Sequence, residues 1–512
     1  MKGVTLLEAY RSGALRDFHR LDSEDFQAAL ETPHSADRVA VSAAVTAYLQ
    51  AMGAPKAALE NARLLGHPDS RVVMTGQQAG LLGGPVYAVS KAVTAIVLAR
   101  MHTTEARPVV PMFWVASQDH DADEVKSATL LDLSETLHTL RLPLPQGKAI
   151  GRIKLEEAWL TQTLELLDAF DAPLDFKTPV VESVTRCFRL SSTYAEWFAR
   201  LTLELLGSDG LIVIDPLHPA ISGLFAPHIR RELEQPLESS RAIEDAAVRL
   251  EALGFHAQLR RTAGATNLFL EDELLERRLL KVSGEQLSAP TRASLETVLA
   301  ADPSRITPAA GLRPIIADAT FPVAINVLGP GELAYHLELG GVYALHGIPQ
   351  PLMHPRMSVT ILEPPVVRML AKYKLSASEF IKGGRAALEG KLLEQSSAHQ
   401  TFKTALRDLE GAIATMRGSL EPFEEGLGKA LNRSEGSFKF NLGRLQHKLG
   451  AALLKAETIT GSHLERLETH LLPNGAPQER VNNFLEFQMK FGSVPLERMM
   501  GLAPSGTHWL EI

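Results

Sequence analysis

Four strings in this chain hold residues whose types and spacing suit chemistry on a small polar ligand. The first is Thr75-Gly76-Gln77-Gln78-Ala79-Gly80-Leu81-Leu82-Gly83-Gly84-Pro85-Val86-Tyr87. Its glycines permit close backbone approach and positive φ, and a helix starting behind them offers N–H groups to an anion. It is neither a GxGxxG fingerprint nor a Walker loop, because no Lys-Ser/Thr follows the glycines. A turn shaped for packing explains the glycines, but not two adjacent glutamines. The second string is Trp114-Val115-Ala116-Ser117-Gln118-Asp119-His120-Asp121. Asp119, His120 and Asp121 suit a proton acceptor with its orienting partners, or a metal site and hence a metal-dependent amide hydrolase. Neighbours on an extended chain point to opposite sides, so the three converge only in a tightly turned loop; otherwise they form a solvated cluster.

The third string, Gly329-Pro330-Gly331-Glu332-Leu333-Ala334-Tyr335-His336, places Glu332 in a first helical turn, where the dipole favours a carboxylate. Capping accounts for it as well as ligand binding does. In the fourth, His354-Pro355-Arg356-Met357-Ser358-Val359-Thr360, the fork of Arg356 fits a carboxylate or phosphate, or a surface ion pair. Pro351 and Pro355 stiffen the approach to it.

Loops of this kind need a scaffold. Arg71–Thr75, Val109–Ala116, Leu211–Asp215 and Val323–Leu328 are strand-length and mostly apolar, without polar alternation. Such runs predict strands covered on both faces, as in a parallel α/β sheet. Helices are expected at Tyr87–Met101 and Glu332–Leu345, in the βα rhythm of a doubly wound fold. Helical insertions are expected around Glu156–Leu206 and Arg230–Gly254. In such a sheet, chemistry belongs in the loops at the carboxyl ends of the strands.

A second style of sequence begins near Ala386. Phe402, Leu406, Leu409, Ile413, Met416 and Leu420 alternate at spacings of four and three, as do Leu442, Leu445, Leu449, Ala452, Ala456 and Ile459. This averages 3.5 residues, the seam of a coiled coil. A helix from Ala386 to Leu420 would run about 50 Å. Glu421–Gly436, with Pro422 and three glycines, suits a reversal, so an antiparallel hairpin used for dimerisation is expected. A pair of helices packed on the main body is the other reading. After Leu472-Pro473-Asn474-Gly475-Ala476-Pro477, the amphipathic stretch Glu479–Phe491 predicts a last helix docking back.

At 512 residues, two or three domains are expected. The net charge of −8, from 52 basic and 60 acidic residues, argues against nucleic acid as the main partner. Cys187 is the single cysteine, which rules out an intramolecular disulfide or a cysteine-based zinc cluster and fits a reducing cytoplasm. The N-terminal residues lack the apolar run of a leader, and no stretch reaches the roughly 18 apolar residues that span a bilayer. No membrane partner is expected.

The strings TGQQAGLLGGPVY, PMFWVASQDHD, GPGELAYH and HPRMSVTILEP, in this order and spacing, resemble the bacillithiol biosynthesis cysteine-adding enzyme family (BshC). RPIIADATFP (Arg313–Pro322), the coiled-coil region and LLPNGAPQERVNNF (Leu471–Phe484) resemble it too, so the likeness covers nearly the whole chain. Gln118 and Ala122 depart from the pattern, where an acidic residue and an aromatic are usual.

The resemblance implies an α/β protein with a Rossmann-like core over residues 1–375, interrupted around 136–206 and 225–300. A helical coiled coil (376–472) forming a homodimer and a C-terminal segment (473–512) packing back on the core complete it. The implied reaction adds L-cysteine to the amine of glucosaminyl-malate, with Asp119, His120 and Asp121 as the catalytic group. Thr75, Gly76, Gln77, Gln78, Gly84, Pro85, Tyr87, Trp114, Gly331, Glu332, Tyr335, Arg356 and Ser358 are the expected binding residues, with no protein-held metal. A carboxylate does not condense with an amine at neutral pH without activation, so ATP with Mg is expected, through an adenylate or acyl phosphate. Gly84–Tyr87 and Arg356–Ser358 are weakly similar to the two signature motifs of class I aminoacyl-tRNA synthetase-like ligases, an analogy between folds.

Overall fold

The apolar runs pair side by side in a computed structural model that describes residues 4–283, 286–287, 290–420, 425–456 and 458–512. The strands β1 (Arg71–Gln77), β2 (Val109–Val115), β3 (Ile212–Ile214), β4 (Val323–Leu328) and β5 (Leu352–Pro355) form one sheet in the order β5-β4-β1-β2-β3. Every pairing is parallel. β2 and β4 are buried at every position, as uninterrupted apolar runs require. The chain lays β2 and β3 on one side of β1, then returns to lay β4 and β5 on the other. The order therefore reverses between β1 and β4, and the carboxyl ends of those two strands border the switch-point crevice of a Rossmann-like sheet.

Helix α1 (Val86–His102) follows β1 and is apolar nearly all round, which fits burial against β1 and β2. Ala95, Leu98 and Ala99 pack with Val73, Val109, Ile325, Val327 and Leu352 in one core cluster. The expected helix Glu332–Leu345 is two helices, Pro330–His336 and Gly340–His346. Between them the buried Glu338 turns its carboxylate to the amides of Gln258 (2.6 Å) and Leu259 (3.1 Å). Nor are the insertions wholly helical. Ser127–Leu131 pairs with Leu137–Arg141, and Gln286–Leu287, Arg277–Ser283, Ala265–Glu271 and Ile306–Pro308 form an antiparallel sheet. The helices Glu157–Ala169, Leu174–Arg189, Tyr194–Leu206, Ala226–Glu234 and Glu238–Ala252 supply the rest.

Two compact units divide the chain: residues 1–359 with 482–508, and residues 360–481 with 509–512. The division falls ahead of residue 375 because Val366, Met369, Leu370 and Tyr373 share a core with Leu464, Leu467 and Leu471 of the second unit. In that unit, the expected single helix Ala386–Leu420 is split. Ala377–Gln395 ends where Ser396 turns extended (ψ 154°), and Ala398–Leu420 resumes. Both lie along Glu425–Ala456, so helix begins well inside the expected break; residues 421–424 lie outside the described set. Gly428 and Gly436 face open space, where a helical glycine costs only about 1 kcal/mol. Ile413 is buried, but Met416 and Leu445 are 51% and 54% exposed, so neither spacing is covered along its whole length within one chain. The last expected helix is also broken, into Gln478–Val481 and Leu485–Phe491, because Asn482 and Asn483 leave helical pairing to brace another loop.

Asp318 records how firmly the region beside β4 is sealed. It lies on the helix Arg313–Thr320, and its Oδ2 accepts from Asn326 Nδ2 (2.8 Å) on β4 and from Tyr343 Oη. Burial pushes its carboxyl up to about 7, against which those hydrogen bonds pull only partly. A folded pKa above the unfolded one means stability that is full below the ordinary carboxylate range and is lost as pH rises through about 7. Asp318→Asn can keep both bonds at one oxygen without the charge. Its stability relative to the parent, by urea unfolding, is expected to rise between about pH 5 and about pH 8; parallel curves would contradict this.

Candidate functional site

The loop after β1 owes its shape to backbone crowding. A Cβ on Gly76 would stand 2.7 Å from the Trp114 carbonyl oxygen, and one on Gly80 would stand 2.8 Å from Gly84 Cα. Gly83 and Gly84 take φ of 87° and 80°, where a side chain is strained. The loop is braced from far along the chain. Asn483 Nδ2 donates to Leu81 O (3.0 Å), Asn483 N to Thr129 O (2.8 Å) and Val86 N to Asn482 O (3.0 Å). Gly80 N and Gly84 N are also spent within the loop, on Gln78 O and Leu81 O. Three of the amides expected to meet an anion, those of Gly80, Gly84 and Val86, are therefore already taken.

Charge at the switch point comes from side chains instead. Lys91, on α1 and 3% exposed, donates to Gly76 O (3.0 Å) and Gln77 Oε1 (2.7 Å), and pairs with Glu332 Oε2 at 2.6 Å. Glu332 also takes Gly329 N–H at 2.9 Å, so it closes its own helix start while facing Lys91. Capping and ion pairing are thus one arrangement. Burial works to raise the Glu332 pKa, but attraction to and hydrogen bonding by Lys91, with the Gly329 amide, hold it below the usual range. Burial likewise lowers Lys91, and Glu332 opposes that shift.

Tyr87 joins the group. Its hydroxyl accepts from Gln77 Nε2 (3.0 Å), and its ring lies 5.8 Å from Lys91 Nζ and 5.6 Å from the Arg356 guanidinium, within cation–π range. Arg356 follows β5, an edge strand hidden from sequence reading by its prolines, and donates to Met357 O (2.8 Å). Gly329 lies among these groups: a Cβ there would stand 3.4 Å from Glu332 Oε2, 3.6 Å from Lys91 Cε and 3.8 Å from Arg356 Nε, all ordinary contact distances. Arg313 donates to the Tyr335 hydroxyl (2.6 Å) beside them. Gly331 faces open space.

A second group gathers after β2. Gln78 Nε2 donates to Asp119 Oδ2 (2.7 Å), while Asp119 Oδ1 accepts from His120 N (2.7 Å) and Asp121 N (3.4 Å). The loop is turned tightly, as convergence demands, with Ile150 N bonded to Asp119 O (2.7 Å) and Gly151 N to Ser117 O (2.8 Å). Burial, then the nearby Asp121 and Asp119, raise the Glu124 carboxyl. Arg277, from the antiparallel sheet, reaches in with Nη1 3.1 Å from His120 Nδ1. The adjacent glutamines thus connect the groups: Gln77 belongs to the cationic one and Gln78 to the acidic one.

Three expected binding residues sit elsewhere. Trp114 is fully buried, with its ring 5.4 Å from Phe225, because every position of β2 faces core. Thr75 is buried and donates to Val327 O (3.0 Å), tying β1 to β4. Ser358 opens the strand Ser358–Leu362, its amide bonded to Gly506 O (2.8 Å). Sequence reading missed Lys91, Arg313, Arg277, Asn482 and Asn483 as parts of the site. For Lys91 there was a signal: it is the only charged residue from Val86 to Ala99.

Fold and site together define a Rossmann-like α/β protein with side chains of both charges gathered at the switch point, carried on a chain with a helical second unit. Comparison with known proteins makes this specific. The model for "Bacillithiol biosynthesis BshC, N-terminal Rossmann-like domain" matches residues 9–357, and that for the "C-terminal coiled-coil domain" of BshC matches 359–509. A Thermus thermophilus protein named "Putative cysteine ligase BshC" is 37% identical over 460 residues, covering 88% of this chain and 89% of the relative. Relatives of the same name from Symbiobacterium thermophilum and Salinibacter ruber are each 31% identical, covering 96% and 84% of this chain and 93% and 80% of the relatives. The chain belongs to the BshC family of bacillithiol biosynthesis.

The metal-dependent hydrolase reading finds no support. Among the described residues no group of three His, Cys, Asp or Glu side chains gathers closely enough to hold a metal ion. No helix is long and apolar enough to cross a membrane among those residues either.

Lys91 is expected to be the costliest single loss at the switch point. Lys91→Met strands Glu332 and should destabilise the protein by about 3 kcal/mol, with part recovered in the Lys91→Met, Glu332→Gln double variant. Additive losses in denaturant unfolding would mean that the pair does not couple.

Proposed function

We propose that this protein joins the carboxyl carbon of L-cysteine to the free amine of glucosaminyl-malate, with ATP activating the carboxylate. Its family membership and relatives named as cysteine ligases make it an enzyme that forms a carbon–nitrogen bond. The observation that carries the finer reading is the division of charge between the two groups. At the switch point Lys91 pairs with Glu332, and Arg356 and Arg313 lie beside them. Cations of this kind suit anions, whether malate carboxylates or phosphates. Asp119, Asp121 and Glu124, tempered by Arg277, suit an ammonium. A substrate carrying carboxylates and an amine matches both ends.

In the reaction the bound ammonium first loses a proton, its nitrogen then bonds to the cysteine carboxyl carbon as the activated carboxyl oxygen leaves, and it gives up a second proton to the Asp119–Asp121 loop. When bound, ATP supplies the leaving group that a free carboxylate lacks. Lys91 and Arg356 would suit its phosphates in charge. Magnesium would come held mainly by the phosphates, as is usual for this ion. Gln77 and Gln78, with Tyr87 and Tyr335, offer neutral partners for hydroxyls.

Purified protein incubated with glucosaminyl-malate, cysteine and ATP·Mg should yield the amide by mass, and none when any one is omitted. Product without ATP rejects the activation, and no product in the full mixture rejects the substrate assignment. Homodimerisation through the second unit belongs to the same proposal. Met416, Phe438, Phe440 and Leu445 are each more than half exposed there, and apolar surface of this kind favours a covering partner. Phe440→Glu with Leu445→Glu should turn a dimer into a monomer by light scattering; a parent already monomeric at micromolar concentration ends the idea.

A further inference from the structure

We infer that Arg277 fixes His120 as the neutral tautomer protonated on Nε2, so that His120 donates a hydrogen bond to the substrate instead of taking its proton. This reading of His120 in the reaction rests on the function proposed above; the tautomer itself does not. Arg277 is held on three sides. Its Nε donates to Thr307 Oγ1 (3.1 Å), its Nη2 to Pro308 O (3.3 Å), and the guanidinium lies 4.2 Å over the Phe269 ring. Nη1 is thereby aimed at His120 Nδ1, 3.1 Å away.

A guanidinium has donors and no lone pair, so Nδ1 must accept. In a neutral imidazole the proton then resides on Nε2. Burial lowers the Arg277 pKa to about 10, which leaves it cationic at neutral pH. A protonated His120 would set an N–H and a like charge against it. The competing partner for Nδ1 is Asp119 Oδ1, at 3.7 Å, beyond hydrogen-bond range and already accepting from the amides of His120 and Asp121. The ring is about half exposed, so an Nε2–H there can meet a ligand from solvent. The proton of the attacking amine then falls to a neighbouring carboxylate, Asp119, Asp121 or Glu124.

The tautomer is measured without substrate. In histidine-selective ¹⁵N spectra of the full chain near neutral pH, the His120 signals are those absent from His120→Gln. Nδ1 should be pyridine-like and Nε2 pyrrole-like; a protonated Nδ1 overturns the proposal whether or not any ligation is detected. Turnover supplies the second arm, because glutamine can place an N–H near the Nε2 position but cannot act as a base. His120→Gln should stay within about 10-fold of the parent, while His120→Ala falls by about 10²–10³-fold, as for loss of a single positioned donor. Equal losses in the two variants would reinstate His120 as the base. Arg277→Met should lower turnover in the parent but by less than about 3-fold in the His120→Gln background, where no tautomer needs fixing. Equal losses in both backgrounds would show that Arg277 acts by another route. The parent spectrum decides the tautomer even if that variant fails to fold.

Discussion

The ion pair between Lys91 and Glu332 is the contact on which the site's geometry rests. A lysine carried by the helix after β1 reaches the first turn of the helix after β4, so the two elements flanking the switch point are tied by opposite charges. Such a pair inside a protein is expensive to desolvate and is tolerated only with its remaining hydrogen bonds satisfied. Here Gly76 O, Gln77 Oε1 and the Gly329 amide do so, and each belongs to a motif loop. The glycine loop, the Gly329–His336 segment and Arg356 thus assemble around one buried ammonium.

That arrangement separates holding from reacting. The cationic side is built from buried groups on the helices beside β1 and β4 and on the segment after β5, which suits the fixed recognition of anions. The acidic side lies on a turned loop reached by a residue from a different sheet. Gln77 and Gln78, consecutive in sequence, take one side each, so a shift of the β1 register would disturb both at once.

Much of this was legible in the sequence, for identifiable reasons. β1, β2, β3 and β4 stand out because strands covered on both faces are uninterrupted apolar runs. β5 did not, because Pro351 and Pro355 read as loop punctuation, though an edge strand accepts proline. The motif loops were visible from their glycines and charges, but their division of labour was not. Thr75 and Trp114 sit within motif strings yet serve strand packing. Arg277 lies 157 residues from His120 and sits among Glu276, Arg278 and Lys281, so local pattern marks it as an ordinary charged strand. The heptad spacing of Leu406 and Leu409 correctly marked long helices, whereas the break at Ser396 and the helix through Gly428 depend on packing that spacing does not encode.

The bracing of the glycine loop by Asn482 and Asn483 has a consequence for synthesis on the ribosome. By chain order, the second unit is an insertion between the first unit's Val359 and its closing segment, which begins at Asn482. All five strands of the sheet are translated before that insertion starts. At roughly 5–20 residues per second, the intervening stretch takes on the order of 6 to 25 seconds to make. During that interval the nascent sheet holds a glycine loop whose Leu81 carbonyl and Val86 amide still await their partners. The loop is therefore braced only after the helical insertion has been made, and a nascent chain stalled within that insertion would carry the motif residues without the brace that shapes their loop.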